Sequence, residues 1–97
     1  MRILSKRTLR EFWEIHNDCE QQLLIWYKEI QNTECQSLKD LIDNLSNCRS
    51  IGNNRFVFNI KGNSYRLVVK INFDLKTVWI RFIGTHQEYD RIDSRKI

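Results

Sequence analysis

The sequence predicts an α+β fold in which N-terminal helices pack on one face of a small antiparallel β-sheet, with a short helix at the C-terminal end. Three observations carry this. Apolar residues recur at helical spacing through the first half, and after Gly52-Asn53-Asn54 they alternate with polar ones at a period of two. The chain has 97 residues, of which 41% are hydrophobic, including five Phe, three Trp and three Tyr. That suffices for one modest core and excludes intrinsic disorder, large barrels and doubly wound sheets. There are no prolines, repeats or low-complexity tracts to mark a linker, so residues 1–97 read as a single domain.

The first helix is carried by Leu9, Phe12, Trp13 and His16, whose offsets of 3, 4 and 7 place them on one side. Asn17-Asp18 interrupts it, and Asp18 is placed to cap a second helix bearing Cys19, Leu23, Trp26, Tyr27 and Ile30. Asn32-Thr33 closes that helix. A third follows Ser37, with Asp40 as a capping-box partner and Leu38, Leu41, Ile42 and Leu45 as its buried side. Arg55 to Ile60, Ser64 to Asn72 and Thr77 to Ile83 are rich in Val, Ile, Phe and Tyr and read as strands. Lys61-Gly62-Asn63 and Phe73-Asp74-Leu75-Lys76 are short enough to join them into an antiparallel meander, to which Cys48 to Ile51 adds a candidate fourth strand.

Several classes of function are excluded or made improbable by composition. The opening residues turn polar too soon for a signal peptide, and no run reaches the length of a membrane span. Cys19, Cys35 and Cys48 are odd in number and scattered, which argues against a disulfide scaffold or a zinc site and for reduced thiols in the cytoplasm. The formal net charge of +4 is unevenly placed: residues 1–50 carry net −1 and residues 51–97 net +5.

Alternation along the strands sorts this charge. One face collects Phe56, Phe58, Ile60, Tyr65, Leu67, Val69, Ile71, Val78, Ile80 and Phe82, a surface for the helices to cover. The other collects Arg55, Val57, Asn59, Ser64, Arg66, Val68, Lys70, Asn72, Thr77, Trp79, Arg81 and Ile83, with four cations and no acid. A solvated face ordinarily mixes signs. Like charges on strands about 4.8 Å apart repel unless an anion sits between them, and the Trp79 indole offers a base something to stack on. A polyanion with flat bases suits this face, although plain solvation and edge protection would also use Lys and Arg.

The last strand runs into Gly84-Thr85-His86-Gln87-Glu88-Tyr89-Asp90, where Thr85 and Glu88 fit a capping box. His86 then opens a short helix with Tyr89 at i+3. At a helix N-terminus the neutral imidazole, able to accept a proton, is favoured. The simpler reading is that both residues merely fasten this helix to the sheet.

Over essentially its whole length the chain resembles the HigB family of toxins, relatives of the RelE-like mRNA interferases. The resemblance lies in Arg2-Ile3-Leu4-Ser5-Lys6-Arg7-Thr8-Leu9-Arg10-Glu11-Phe12-Trp13-Glu14, similar to the family's first helix, and in Trp26-Tyr27-Lys28, similar to its second. It continues through the hairpin Asn54 to Asn72 and the closing segment Ile80 to Asp90. Two family prolines are replaced by Asn17 and Leu38, and the Leu38 to Asn44 segment is less basic than the family's third helix.

The resemblance implies a RelE-like domain that cleaves mRNA on the ribosome. It further implies inhibition by a HigA-type helix-turn-helix antitoxin, with operator DNA bound only through the toxin–antitoxin complex. Arg66, Arg81, His86 and Tyr89 are the implied catalytic residues, and Arg55, Lys61, Lys70 and Trp79 the RNA-binding ones; no metal, cofactor or membrane is expected. Chemically, arginines stabilise the extra charge on phosphorus while a base and an acid move protons, so that the 2′-hydroxyl of RNA is the nucleophile. Sequence leaves open which of His86 and Tyr89 is base and which acid. Two rivals use the same face: a non-catalytic RNA- or DNA-binding domain, and a small module that meets an acidic protein.

Overall fold

Helical spacing becomes helix wherever it lets apolar side chains share a stripe. In the computed structural model, which describes residues 1–34, 39, 40, 42, 43 and 47–97, α1 spans Lys6–Ile15 and α2 spans Glu20–Asn32, joined by a 3-10 turn at Asn17–Cys19. Leu9 and Trp13 of α1, Cys19 of the turn, and Leu23, Trp26 and Ile30 of α2 are all buried. Thr33 ends α2, its hydroxyl donating to the Glu29 carbonyl at 2.6 Å. Lys39, Asp40, Ile42 and Asp43 are helical and Ile42 is buried. Cys35, Ser37, Leu38, Leu41 and Leu45, the rest of what the sequence offers for that region, lie outside the described residues.

The sheet has five strands, β1 (Arg2–Leu4), β2 (Cys48–Gly52), β3 (Arg55–Ile60), β4 (Tyr65–Asn72) and β5 (Thr77–Thr85), in the order β1-β5-β4-β3-β2. β2 to β5 form the expected antiparallel meander. β1 is a correction: Arg2–Leu4 is not the start of the first helix but a strand parallel to β5, with Ile3 opposite Val78. Three residues are too few to show alternation, so only their neighbour reveals them. The β2–β3 turn uses Gly52, Asn53 and Asn54 at φ 88°, 55° and 59°, a left-handed conformation that glycine and asparagine tolerate best.

The core lies between α1, α2 and one face of the sheet, where Phe58, Ile60, Tyr65, Leu67, Val69, Ile71 and Val78 meet the helices. Leu9, Leu23, Phe58 and Leu67 are at most 1% exposed, and each such burial contributes about 1.5–3 kcal/mol. The Trp26 indole packs edge-on to Phe58 at 5.4 Å.

Two further expectations need correction. In β5 the register slips: Ile80 faces Val69 but Phe82 faces Val68, leaving Arg81 as the extra residue of a β-bulge. An inserted residue reverses every later side chain, so Phe82 moves to the outer face and Ile83 to the core side, the reverse of simple alternation. Asp18 does not cap α2, which begins at Glu20 without a side-chain cap. Its carboxylate instead accepts the Tyr65 hydroxyl at 2.6 Å and the Lys61 ammonium at 2.7 Å. The bond from Lys61, then that from Tyr65, holds the Asp18 carboxyl below its ordinary range, and the same hydrogen bond pushes the Tyr65 phenol up to about 12.

Among the described residues no helix is long and apolar enough to cross a membrane. Cys19 and Cys48 carry free thiols, and desolvation raises them to about 11 and about 12.

Candidate nucleic-acid interface

The face of the sheet turned away from α1 and α2 is built in cross-strand rows. Arg55, Lys70 and Trp79 are aligned across β3, β4 and β5; Arg49, Val57, Val68 and Phe82 form the next row, and Asn59, Arg66 and Gly84 the third. Directly opposed residues stand about 4.5–5.5 Å apart at Cα, so Arg55, Lys70 and Arg66 lie on one continuous surface. Among the described residues none of Arg49, Arg55, Arg66, Lys70 or Arg81 forms an ion pair with a carboxylate.

These cations differ in setting. Arg66 is only 8% exposed, and its Nη1 donates to the carbonyls of Asn63 at 3.2 Å and Tyr65 at 3.4 Å. A guanidinium taken out of water without a counter-charge retains an unmet demand for one. Arg81, on the bulge, is exposed. Arg55 is engaged: Nε donates to the Ile97 carbonyl at 2.6 Å and Nη1 to the Asn53 carbonyl at 3.0 Å. With the Asn53 amide bonded to the Arg95 carbonyl at 3.4 Å, these contacts draw residues 95–97 across one end of the face. Val57 and Val68, in the middle row, are at most 1% exposed, so this face is more covered than an alternating pattern suggests.

At the other end stands α3, His86–Asp90, whose start the sequence marks correctly. The Thr85 hydroxyl accepts the Glu88 N–H at 3.2 Å, and Glu88 Oε1 accepts the Thr85 N–H at 2.9 Å. The bond from the Thr85 backbone holds the Glu88 carboxyl below its usual range. The His86 N–H donates to the Ser64 carbonyl at 3.3 Å, fastening the helix to the β3–β4 turn. His86 Nδ1 lies 3.0 Å from Asp90 Oδ2. A neutral imidazole that donates Nδ1–H to this carboxylate presents Nε2 as a free acceptor. Tyr89 lies beside Phe82, ring centroids 6.5 Å apart, with its hydroxyl 3.3 Å from Ser94 Oγ. Gly84 leaves room for the Phe82 ring, which a Cβ at this position, 2.5 Å from the ring's far edge, would push aside.

Of the residues singled out from sequence, Arg55, Arg66, Lys70 and Trp79 share this side of the sheet, Arg81 is exposed on the bulge beside Phe82, and His86 and Tyr89 lie at the edge. Lys61 is not among them, since its ammonium is turned to Asp18 at the helix side. Arg49 was missed. It lines, with Asn47, Asn59 and Arg66, a cavity of about 100 Å³ at the β2 edge. Alternation in β2 could have placed it on this face had Cys48 been assigned to the core side. A larger cavity of about 630 Å³ lies between α2 and the β3–β4 end, lined by Trp26, Ile30, Phe58 and Gly62 among others, and shares Asn47 and Asn59 with the smaller one.

Fold and surface together define a small α+β protein with helices on one side of its sheet and, on the other, cations that have no carboxylate partner among the described residues. Residues 19–92 match the model of the HigB toxin family, described as the RelE-like toxic component of a toxin–antitoxin system, and the chain belongs to that family. Its relatives include the "mRNA interferase toxin HigB" of Escherichia coli (strain K12) and the "mRNA interferase HigB" of Shigella flexneri. Each is 36% identical over 55 residues, 57% of this chain and 52% of the relative. The chain thus spans about half the length of the curated relatives it matches.

Proposed function

We propose that this protein is the toxin of a toxin–antitoxin pair and an endoribonuclease that cleaves mRNA during translation. Its chain acts as one domain in the cytoplasm and is held inactive by a HigA-type antitoxin, through which alone it meets operator DNA. The observation that carries this reading is the joining of a cation set without a carboxylate partner among the described residues to a His86–Asp90 pair at its edge. Family membership and the names of its relatives support the same reading.

Lys70, Arg55 and the exposed Arg81 draw in the phosphate backbone, with Trp79 as a stacking surface. Lys61 contributes from the edge of the site, weakened by its bond to Asp18. The 2′-oxygen attacks the adjacent phosphorus, its proton passing to a base, while the 5′-oxygen leaves with a proton from an acid; the product end is a 2′,3′-cyclic phosphate. His86, through Nε2, serves as base or acid and Tyr89 as its counterpart. Arg66 and Arg81 stabilise the added charge on phosphorus. Metal-independence is part of the proposal: among the described residues no three His, Cys, Asp or Glu side chains gather into a ligand set.

The test is cleavage of a translated message by purified protein, with chelator added once the ribosome's own magnesium is secured. Persistent cleavage, cyclic phosphate ends and blockage by a 2′-deoxy nucleotide at the cut site are expected. Salt-dependent binding with the RNA left intact overturns the enzyme reading in favour of a non-catalytic binder.

A further inference from the structure

The turn between β3 and β4 does more than reverse the chain. Its last flanking pair is Ile60 opposite Tyr65, which leaves Lys61 to Ser64 as the loop. Two of that loop's carbonyls serve the site: Asn63 holds the Arg66 guanidinium at 3.2 Å, and Ser64 holds the first N–H of α3, that of His86, at 3.3 Å. The placement of the buried arginine and of the histidine therefore both depend on where this one loop sits.

The loop does not hold itself. Lys61 and Gly62 lie at φ 52° and 63°, and the left-handed region costs a non-glycine residue free energy unless its surroundings enforce it. Asp18 supplies that enforcement. One carboxylate takes the ammonium of Lys61, the loop's first residue, and the hydroxyl of Tyr65, the first residue beyond it. Asp18 is in turn set by the 3-10 turn between α1 and α2. There the neighbouring Cys19, fully buried, directs its N–H and Sγ to the His16 carbonyl at 3.2 and 3.1 Å, and the His16 ring packs against Phe12 and Tyr65.

We propose that Asp18 is a positioning residue: from the helix side of the sheet it grips the β3–β4 turn at both ends and through it fixes Arg66 and His86. The cleavage part of this rests on the function proposed above. A bond count alone would make Asp18 a surface ion-pair member of little consequence; what sets it apart is that its two donors bracket the loop that carries both functional groups.

The experiment compares Asp18→Ala, Tyr65→Phe and the double variant, with Glu11→Ala, which breaks the exposed Arg7–Glu11 pair, as control. Single-turnover cleavage by Asp18→Ala should fall roughly tenfold or more, because small displacements of reacting groups are costly, while RNA affinity changes less than about twofold and Glu11→Ala is unaffected. Tyr65→Phe should show part of that loss, and the double variant should be no slower than Asp18→Ala, since one linkage is being cut twice. Independently of any cleavage, ¹H–¹⁵N spectra of Asp18→Ala should move the Arg66 Nε–H and His86 amide signals, and those of Glu11→Ala should not. Unmoved signals overturn the proposal, as does a loss of rate in Asp18→Ala that adds to that of Tyr65→Phe. A wild-type protein that cuts no RNA overturns the proposed function instead, and the spectra still decide the role of Asp18.

Discussion

Arg66→Met is the sharpest probe of the cation face, because it keeps the aliphatic stem and removes only the guanidinium. The structural cost is small by construction. The variant forfeits two long bonds to backbone carbonyls, at 3.2 and 3.4 Å, each contributing about 1 kcal/mol net. Against that, it relieves the burial of a cation that is only 8% exposed and has no carboxylate partner among the described residues, a penalty of comparable or greater size. The sum lies within about 1 kcal/mol of zero, or a Tm shift under about 8 °C for a chain of this length. Catalysis responds quite differently. A donor aimed at charge that develops on phosphorus supplies about 3–4 kcal/mol, so the single-turnover rate should drop a hundredfold or more. Thermal melting by circular dichroism and cleavage of an end-labelled RNA, run on one preparation, separate the two effects. A variant that cuts at the wild-type rate, or whose loss of activity is matched by a collapse in Tm, refutes the assignment of Arg66 to charge stabilisation.

Arg81→Ala should cost a similar factor in rate with stability changed by no more than about 0.5 kcal/mol, as expected for an exposed side chain, measured in the same pair of assays. Asp90→Asn should slow cleavage roughly ten- to hundredfold without lowering Tm, because it loosens the partner that orients the His86 ring; an unchanged rate removes the His86–Asp90 pair from the mechanism. For Asp18 the folded carboxyl is depressed, so its contribution to stability is present above its ordinary value of 3.8 and is lost as pH falls through the folded value. For Tyr65 the phenol is raised, so its contribution is full below 10.0 and lost as pH rises through about 12. Tm-against-pH curves of Asp18→Ala should therefore be flatter than wild type below about pH 4 and above about pH 10.

The parts of the fold that sequence discloses are those where a residue's neighbours along the chain decide its structure. β3 runs from Arg55 to Ile60 as its alternation indicates, and α3 starts at His86 because Thr85 and Glu88 satisfy each other's backbone within four residues. The helical stripes of Leu9 and Trp13, and of Leu23, Trp26 and Ile30, are core for the same local reason. What escapes is decided across the chain. β1 exists only because β5 lies beside it, and Asp18 passes over a local cap for a lysine and a tyrosine more than forty residues away. The outer sheet face follows the same division: Arg55, Arg66, Lys70 and Trp79 sit where period two puts them, while the tie from Arg55 to Ile97 is invisible in any window of sequence.

The bulge at Arg81 means that the far end of β5 is set by counting rather than by chemistry. Every residue from Phe82 to Thr85 owes its facing to one surplus position, so removal of Arg81 itself sets Phe82 directly after Ile80 in a regular ladder and leaves Phe82 outward and Ile83 on the core side. Substitutions preserve length and so preserve the count. Loss of one residue is absorbed by the bulge, whereas loss of a second turns every later side chain over and shortens the strand by about 3.3 Å. In this segment tolerance of deletion is therefore a matter of parity, and a deletion series would keep the correct facing at its first step and lose it at its second.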